Sequence, residues 1–138
     1  MEVKQAKLQQ LNLKEKVKLI SGSSLWRTFP IEHAGIPVLK VSDGPNGVRG
    51  DGGKPAACFP VGICLASTWD IGLIEQVGAD IADEARRKDV PVALGPTINI
   101  HRTPLAGRNF ECYSEDPYLS GMLASAFTTG LQEKRVGA

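Results

Sequence analysis

Residues 68–96 read TWDIGLIEQVGADIADEARRKDVPVALGP, and the spacing of their apolar residues decides the architecture. Ile71, Ile74, Val77, Ile81 and Ala85 fall on one face of a helix predicted from about Thr68 to Lys88. Ser67 and Asp70 form a capping pair at its start. Val90 to Leu94 follows as a short apolar strand, ended by Gly95-Pro96. Between them, Arg86-Arg87-Lys88 follows Asp83-Glu84 and precedes Asp89, which reads as a solvated helix end.

The same unit recurs on either side. Upstream, Ile36 to Val41 reads as a strand with Pro37 at its start. It leads into a loop, Ser42 to Gly62, with six glycines and three prolines in 21 residues. A helix is predicted earlier, from about Leu13 to Ser21, with Asn12 and Glu15 as a capping box and Leu13, Val17 and Ile20 as its apolar stripe. Trp26 and Trp69 could be sugar-stacking platforms; Trp69, in the first predicted helical turn, reads more simply as core. Downstream of Gly95-Pro96, a second long loop runs from about Thr97 to Glu115 and reaches Asp116-Pro117, an N-cap with proline at the first helical position. Leu119, Met122, Leu123, Ala126 and Phe127 form the next apolar face, Gly130 weakens its end, and Val136 opens a further strand. Strands alternating with helices imply an α/β fold with parallel strands and crossover helices. In such sheets the loops leaving the C-terminal strand ends carry the chemistry, and both long loops leave a strand and enter a helix.

Composition narrows the function classes. The chain has 138 residues, 42% hydrophobic and 22% charged, with a net charge of +1, as in ordinary globular proteins. Basic and acidic residues nearly cancel, which argues against nucleic acid or a membrane surface as partner. Met1 to Gln10 is a polar lead-in without the apolar core of a secretory signal, followed by a single domain over 11–138. Three cysteines and no Asn-x-Ser/Thr site lean towards a reducing compartment, so a cytoplasmic location is expected. One domain is the most this length allows, well short of the roughly 250 residues of a complete (β/α)8 barrel.

The first loop opens Ser42-Asp43-Gly44-Pro45-Asn46-Gly47-Val48-Arg49-Gly50. Just past a strand end, the Asp43 carboxylate could accept two hydrogen bonds from a vicinal diol, or it could only shape a turn. In the second loop, Arg102 and Arg108 could donate to hydroxyls or to a carboxylate. Glu111, Glu115 and Asp116 could instead pair with those arginines, and Asp116 is best placed as a helix cap. Gly50-Asp51-Gly52-Gly53-Lys54 is not a phosphate loop, because Val48 stands at the first glycine and Pro55 after the lysine. Arg49-Gly50-Asp51 matches an adhesion tripeptide by chance. Cys58, Cys64, Cys112, His33 and His101 show no zinc spacing. Cys64 or Cys112 with either histidine is a far weaker nucleophile reading than inert thiols.

At these loops the sequence resembles the N-terminal part of family 3 glycoside hydrolases, in the β-glucosidase branch. The resemblance rests on VSDGPNGVRG at 41–50, CFPVGICLASTWD at 58–70 and LGPTINIHRTPLAGRNFECYSEDPYLSG at 94–121. It implies the N-terminal portion of a (β/α)8 TIM-like barrel, incomplete in this chain, which needs the remainder of that barrel and a following domain. It implies retaining hydrolysis of terminal non-reducing β-D-glucosyl residues, from a β-glucoside or oligosaccharide, with no metal or organic cofactor. By resemblance, Asp43 holds hydroxyls of the terminal glucose, Arg108 lines the same subsite, and Arg49 follows on the same loop. Asn109, His101 and Val61 depart from glycine, glutamine and asparagine common at those positions, which touches fine specificity. A β-xylosidase of the same family is a neighbouring reading. So is a carbohydrate-binding or interaction fragment without catalysis.

A retaining glycosidase needs two carboxyl groups about 5–5.5 Å apart. The family's nucleophile and acid/base, and a Lys-His pair that follows RVGA, are expected beyond Ala138, so no catalytic residue is assigned within the chain. Two strand–loop–helix units cannot close a barrel, which leaves strand edges and apolar helix faces open. The 138-residue chain by itself is therefore expected to be inactive on a chromogenic β-glucoside and to be molten or self-associated. A sharp two-state unfolding transition in a dilute monomer would count against this.

Overall fold

A computed structural model describes residues 8–50 and 53–138. Most of the polar lead-in, and Asp51 of the Arg-Gly-Asp tripeptide, lie outside the described residues. The chain divides after Val41 into two compact units.

The first unit starts with α1 (Leu13–Leu19), closed at its N-terminus by the expected capping box. Asn12 Oδ1 accepts the Glu15 N–H at 3.0 Å, and a Glu15 carboxylate oxygen accepts the Asn12 N–H at 2.9 Å. Two short antiparallel strands follow, β1 (Gly22–Ser24) and β2 (Arg27–Thr28), then a 3₁₀ turn over Glu32–Ala34. Leu11, Ile31 and Ala34 form a small core, with Leu19 and Ile36 packed against it. The expected stripe of Leu13, Val17 and Ile20 is therefore corrected: all three are exposed, and Leu19 supplies the helix's apolar contact. The expected strand over Ile36–Val41 is also corrected, since Ile36 and Lys40 make only isolated bridges. Pro37 has no N–H to give, while the Leu39 and Val41 N–H groups bond to Thr28 Oγ1 and the Trp26 carbonyl.

The second unit opens at Ser42, within β3 (Val41–Asp43), which forms a two-stranded sheet with β4 (Val92–Leu94). On the other side of β4, Gly137 bridges Val92 in parallel and Val136 is buried, in keeping with the strand expected there. A short helix that the sequence did not announce, α2 (Gly62–Ala66), precedes α3 (Ile71–Arg87), which is the helix expected over Thr68–Lys88 with a later start. Ser67 ends the first, with its hydroxyl on the Ile63 carbonyl, so it is not a cap for the second. Trp69 takes φ 56°, and Asp70 starts α3 by accepting the Leu73 N–H at 3.0 Å. Trp69 is 74% exposed, which overturns its reading as core.

A second long helix, α4 (Pro117–Glu133), begins as expected: Asp116 accepts the Tyr118 and Leu119 N–H groups, and Pro117 has no N–H that needs an acceptor. It packs on α3 through Leu123, Ala126, Phe127 and Leu131 against Ile74, Val77, Ile81 and Ala85. Gly130 is part of this contact, where the sequence showed only a weak helix end. A Cβ at Gly130 would stand 2.1 Å from the Glu75 carbonyl oxygen, and one at Gly78 would stand 2.3 Å from that of Phe127. No described helix is long and apolar enough to cross a membrane.

The basic run at the end of α3 is only partly solvated. Arg86 and Arg87 are exposed, but Lys88 is 6% exposed, pairs with Glu84 at 3.2 Å and donates to the Val48 carbonyl. Glu84 also accepts the Val48 N–H at 2.9 Å and the Ala57 N–H at 2.8 Å. Burial pushes the Glu84 carboxyl upward, but the Ala57 and Val48 donors and the Lys88 ammonium outweigh it and hold it below the usual carboxylate range.

Two outcomes follow for the longest polypeptide carrying these residues. Gly130→Ala should lower stability by about 1–3 kcal/mol, because the added methyl forces the helices apart and outweighs the usual helix gain of alanine; an unchanged urea midpoint would contradict the close approach. Glu84→Gln should cost about 1.5–3 kcal/mol at neutral pH. A depressed folded-state pKa stabilises fully above the unfolded value, near 4.3, and less as pH falls through the folded one. The gap between Glu84→Gln and its parent should thus hold from pH 7 to about 5 and narrow below about 4, as read by urea unfolding across pH.

Candidate functional site

Asp43 is the last residue of β3 and starts the first loop. Its backbone carbonyl shapes the turn, accepting the Arg49 N–H at 2.7 Å and the Ser42 hydroxyl at 2.8 Å. The same hydroxyl accepts the Gly50 N–H at 2.8 Å. Among the described residues the Asp43 carboxylate itself takes no hydrogen bond and is exposed. The turn and the carboxylate are thus separate functions of one residue, which keeps the hydroxyl-binding reading open. Asn46 ties the loop to its far limb, with its side chain donating to the Pro60 carbonyl at 3.0 Å and its carbonyl accepting the Phe59 N–H at 2.9 Å.

The second loop is braced from within. Arg108 Nε donates to Glu111, and Thr97 Oγ1 donates to the other Glu111 oxygen at 3.2 Å. Glu111 is buried, while most of the Arg108 side chain is exposed. The hydrogen bond from Arg108 chiefly holds the Glu111 carboxyl below its ordinary range, against burial and with help from Thr97. In return Glu111 raises the Arg108 guanidinium, and Asp43 adds a smaller electrostatic pull. Of the pairings weighed for Glu111, Glu115 and Asp116, Glu111 takes Arg108 and Asp116 caps α4. His101 Nε2 lies 2.8 Å from the Asn109 carbonyl, and the Asn109 side chain donates to the Thr103 carbonyl at 2.8 Å. Two of the three departures from the family pattern, His101 and Asn109, therefore brace the same loop.

The two loops share an open cleft of about 370 Å³. Asp43, Asn46 and Arg49 line it from the first loop, and Arg108, Phe110 and Glu111 from the second. All three predicted site residues meet there. Arg102 does not join them; it lines another cavity, of about 620 Å³, formed by residues of the second loop and bordered also by Arg108. Trp69 is not on the cleft wall, and Trp26 belongs to the first unit. Cys112 is buried, with Sγ 3.5 Å from the Arg108 carbonyl, and no described histidine bonds a thiol. Among the described residues no cluster of three or more potential metal ligands occurs. Phe110 and Asn46 were not singled out from the sequence, although Phe110 stands between two residues that were.

A carboxylate, two guanidinium groups, an amide and an aromatic ring around an open cleft suit a neutral polyhydroxyl ligand. The carboxylate accepts from hydroxyls, the cations donate to them, and the ring offers an apolar face.

The model of the glycosyl hydrolase family 3 N-terminal domain matches residues 3–138. A β-glucosidase from Rhizobium radiobacter is 50% identical over 135 residues, covering 95% of this chain and 16% of that protein. The crystal structure of a β-glucosidase from Kluyveromyces marxianus in complex with glucose is 48% identical, with a TM-score of 0.88 over 95% of this chain and 16% of that one. β-Glucosidase 3B from Thermotoga neapolitana in complex with α-D-glucose is 42% identical, with a TM-score of 0.89 over the whole of this chain and 22% of that one. The chain thus spans about a sixth to a fifth of the length of these relatives. With its cleft built from the same loops whose motifs carried the resemblance, the chain belongs to glycosyl hydrolase family 3, as part of its N-terminal domain.

Proposed function

We propose that this chain forms part of a retaining β-glucosidase and supplies the subsite for the terminal non-reducing glucose. The convergence of Asp43, Arg49 and Arg108 in one cleft carries the reading, and the relatives named β-glucosidase support it. The sheet of β3 and β4, extended in parallel at Gly137, is read as the start of a (β/α)8-like barrel. The substrate is a β-glucoside or oligosaccharide. A cytoplasmic location is part of the same proposal.

In this reading Asp43 grips two adjacent hydroxyls of the sugar through its two oxygens. Arg108, oriented by Glu111, donates to the same ring. Arg49, beside Asp43 through its own backbone N–H, closes the subsite from the first loop. Such contacts accelerate hydrolysis where they tighten as the ring flattens towards the oxocarbenium-like transition state. No carboxyl described here is assigned to bond breaking. Glu111 is committed to Arg108 and Thr97, Glu84 to Val48, Ala57 and Lys88, and Asp70 and Asp116 to helix caps. Asp43 binds the sugar, and the reacting pair comes from other parts of the enzyme.

In the full-length enzyme, Asp43→Ala should lower kcat/KM for a chromogenic β-glucoside by about 100-fold or more, with the unfolding midpoint nearly unchanged because the carboxylate makes no internal hydrogen bond among the described residues. Unchanged steady-state kinetics would remove Asp43 from the site.

A further inference from the structure

We propose that Glu84 and Lys88, neither of which lines the cleft, are positioning residues that hold Asp43 and Arg49 at the sugar by clamping both limbs of the first loop to the end of α3. The inference rests on the glucoside reading of the cleft.

The clamp runs through backbone groups. One Glu84 oxygen accepts the Val48 N–H at 2.9 Å, and the other accepts the Ala57 N–H at 2.8 Å. Lys88, one turn further along α3, pairs with Glu84 and donates to the Val48 carbonyl. Both backbone polar groups of Val48 are therefore held from the end of the same helix, and the Val48 side chain is fully buried in the core. The next two residues reach the site: Arg49 N–H bonds the Asp43 carbonyl at 2.7 Å, and Gly50 N–H bonds Ser42 Oγ at 2.8 Å. The Val48 carbonyl that Lys88 holds and the Arg49 N–H that bonds Asp43 belong to one peptide unit, so the clamp acts directly on the bond that sets Asp43.

The loop's shape serves this contact. Gly47 takes φ 128°, and a Cβ there would lie 2.1 Å from the Ala57 carbonyl oxygen. The two limbs touch at that point, so a single carboxylate can reach an N–H on each. α3 is itself fixed by its buried face against α4. A displacement of about 1 Å in a substrate-gripping group is worth up to two orders of magnitude in rate, which is the lever the clamp works on.

The test uses the full-length enzyme with Glu84→Gln and with Glu84→Gln/Lys88→Met. Glutamine keeps one acceptor and turns an NH2 towards the second backbone N–H; the double variant removes the ammonium that this NH2 would also face. Both should remain cooperatively folded by circular dichroism and urea unfolding. Each should lose about tenfold or more in kcat/KM on a chromogenic β-glucoside, with inhibition by glucose weakened in step. In an Asp43→Ala background the same substitutions should cost clearly less than in the parent, because the Asp43 contact is gone and only that of Arg49 remains to be positioned.

Full additivity with Asp43→Ala would overturn the proposal. So would lowered unfolding midpoints with unchanged kcat/KM and glucose inhibition, or failure of both variants to fold, since either makes the clamp a fold contact only. If Asp43→Ala alone leaves kinetics unchanged, the glucoside subsite reading fails first and the positioning role fails with it.

Discussion

α3 and α4 meet so closely that a methyl group does not fit between the backbone of one and the glycine of the other, at Gly78 and again at Gly130. This contact fixes the separation of the two helices, and the largest core cluster grows around it, from Ile74 and Ile81 to Phe127 and Leu131. Everything that positions the site hangs from it. The far end of α3 carries Glu84 and Lys88, which hold the first loop; the start of α4 is capped by Asp116, where the second loop ends.

Each loop is anchored by a glutamate whose carboxyl lies below the ordinary range, and in each the partner is a cation close in sequence. Glu84 pairs with Lys88 and holds backbone N–H groups, whereas Glu111 pairs with Arg108 and holds a guanidinium that faces the cleft. In both cases the hydrogen bonds overcome the cost of withdrawing a charge from water. The consequence is a division of labour among carboxylates. Those that are enclosed hold the structure, whereas the exposed Asp43 carboxylate takes no hydrogen bond among the described residues.

Much of this was legible in the residues. The cap at Asp116-Pro117, the Asn12–Glu15 capping box and the buried face of Ile74, Val77, Ile81 and Ala85 all follow from local rules, because they depend on neighbours within a few positions. Asp43, Arg49 and Arg108 were found through motif resemblance, and the cleft unites them. Other features had no local signature. A glutamate four residues before a lysine at a helix end looks the same whether solvated or buried, so Lys88 read as surface. Trp69 read as core because it was placed in the first turn of a helix that starts only after it, at Ile71. Leu13, Val17 and Ile20 have helical spacing, but the small first unit offers them no face to bury.

The sequence by itself determined the alternation of strands and helices, the two long strand-to-helix loops and the family, because periodicity, capping and motif order are properties of short stretches. Only the tertiary structure decided that Gly130 is a point of helix contact, that Glu84 reaches across 36 and 27 positions to Val48 and Ala57, and that Arg102 lines a different cavity from the cleft of Asp43 and Arg49. Those facts depend on which distant backbone groups come within hydrogen-bond or van der Waals reach, and that distance is set by packing rather than by order along the chain.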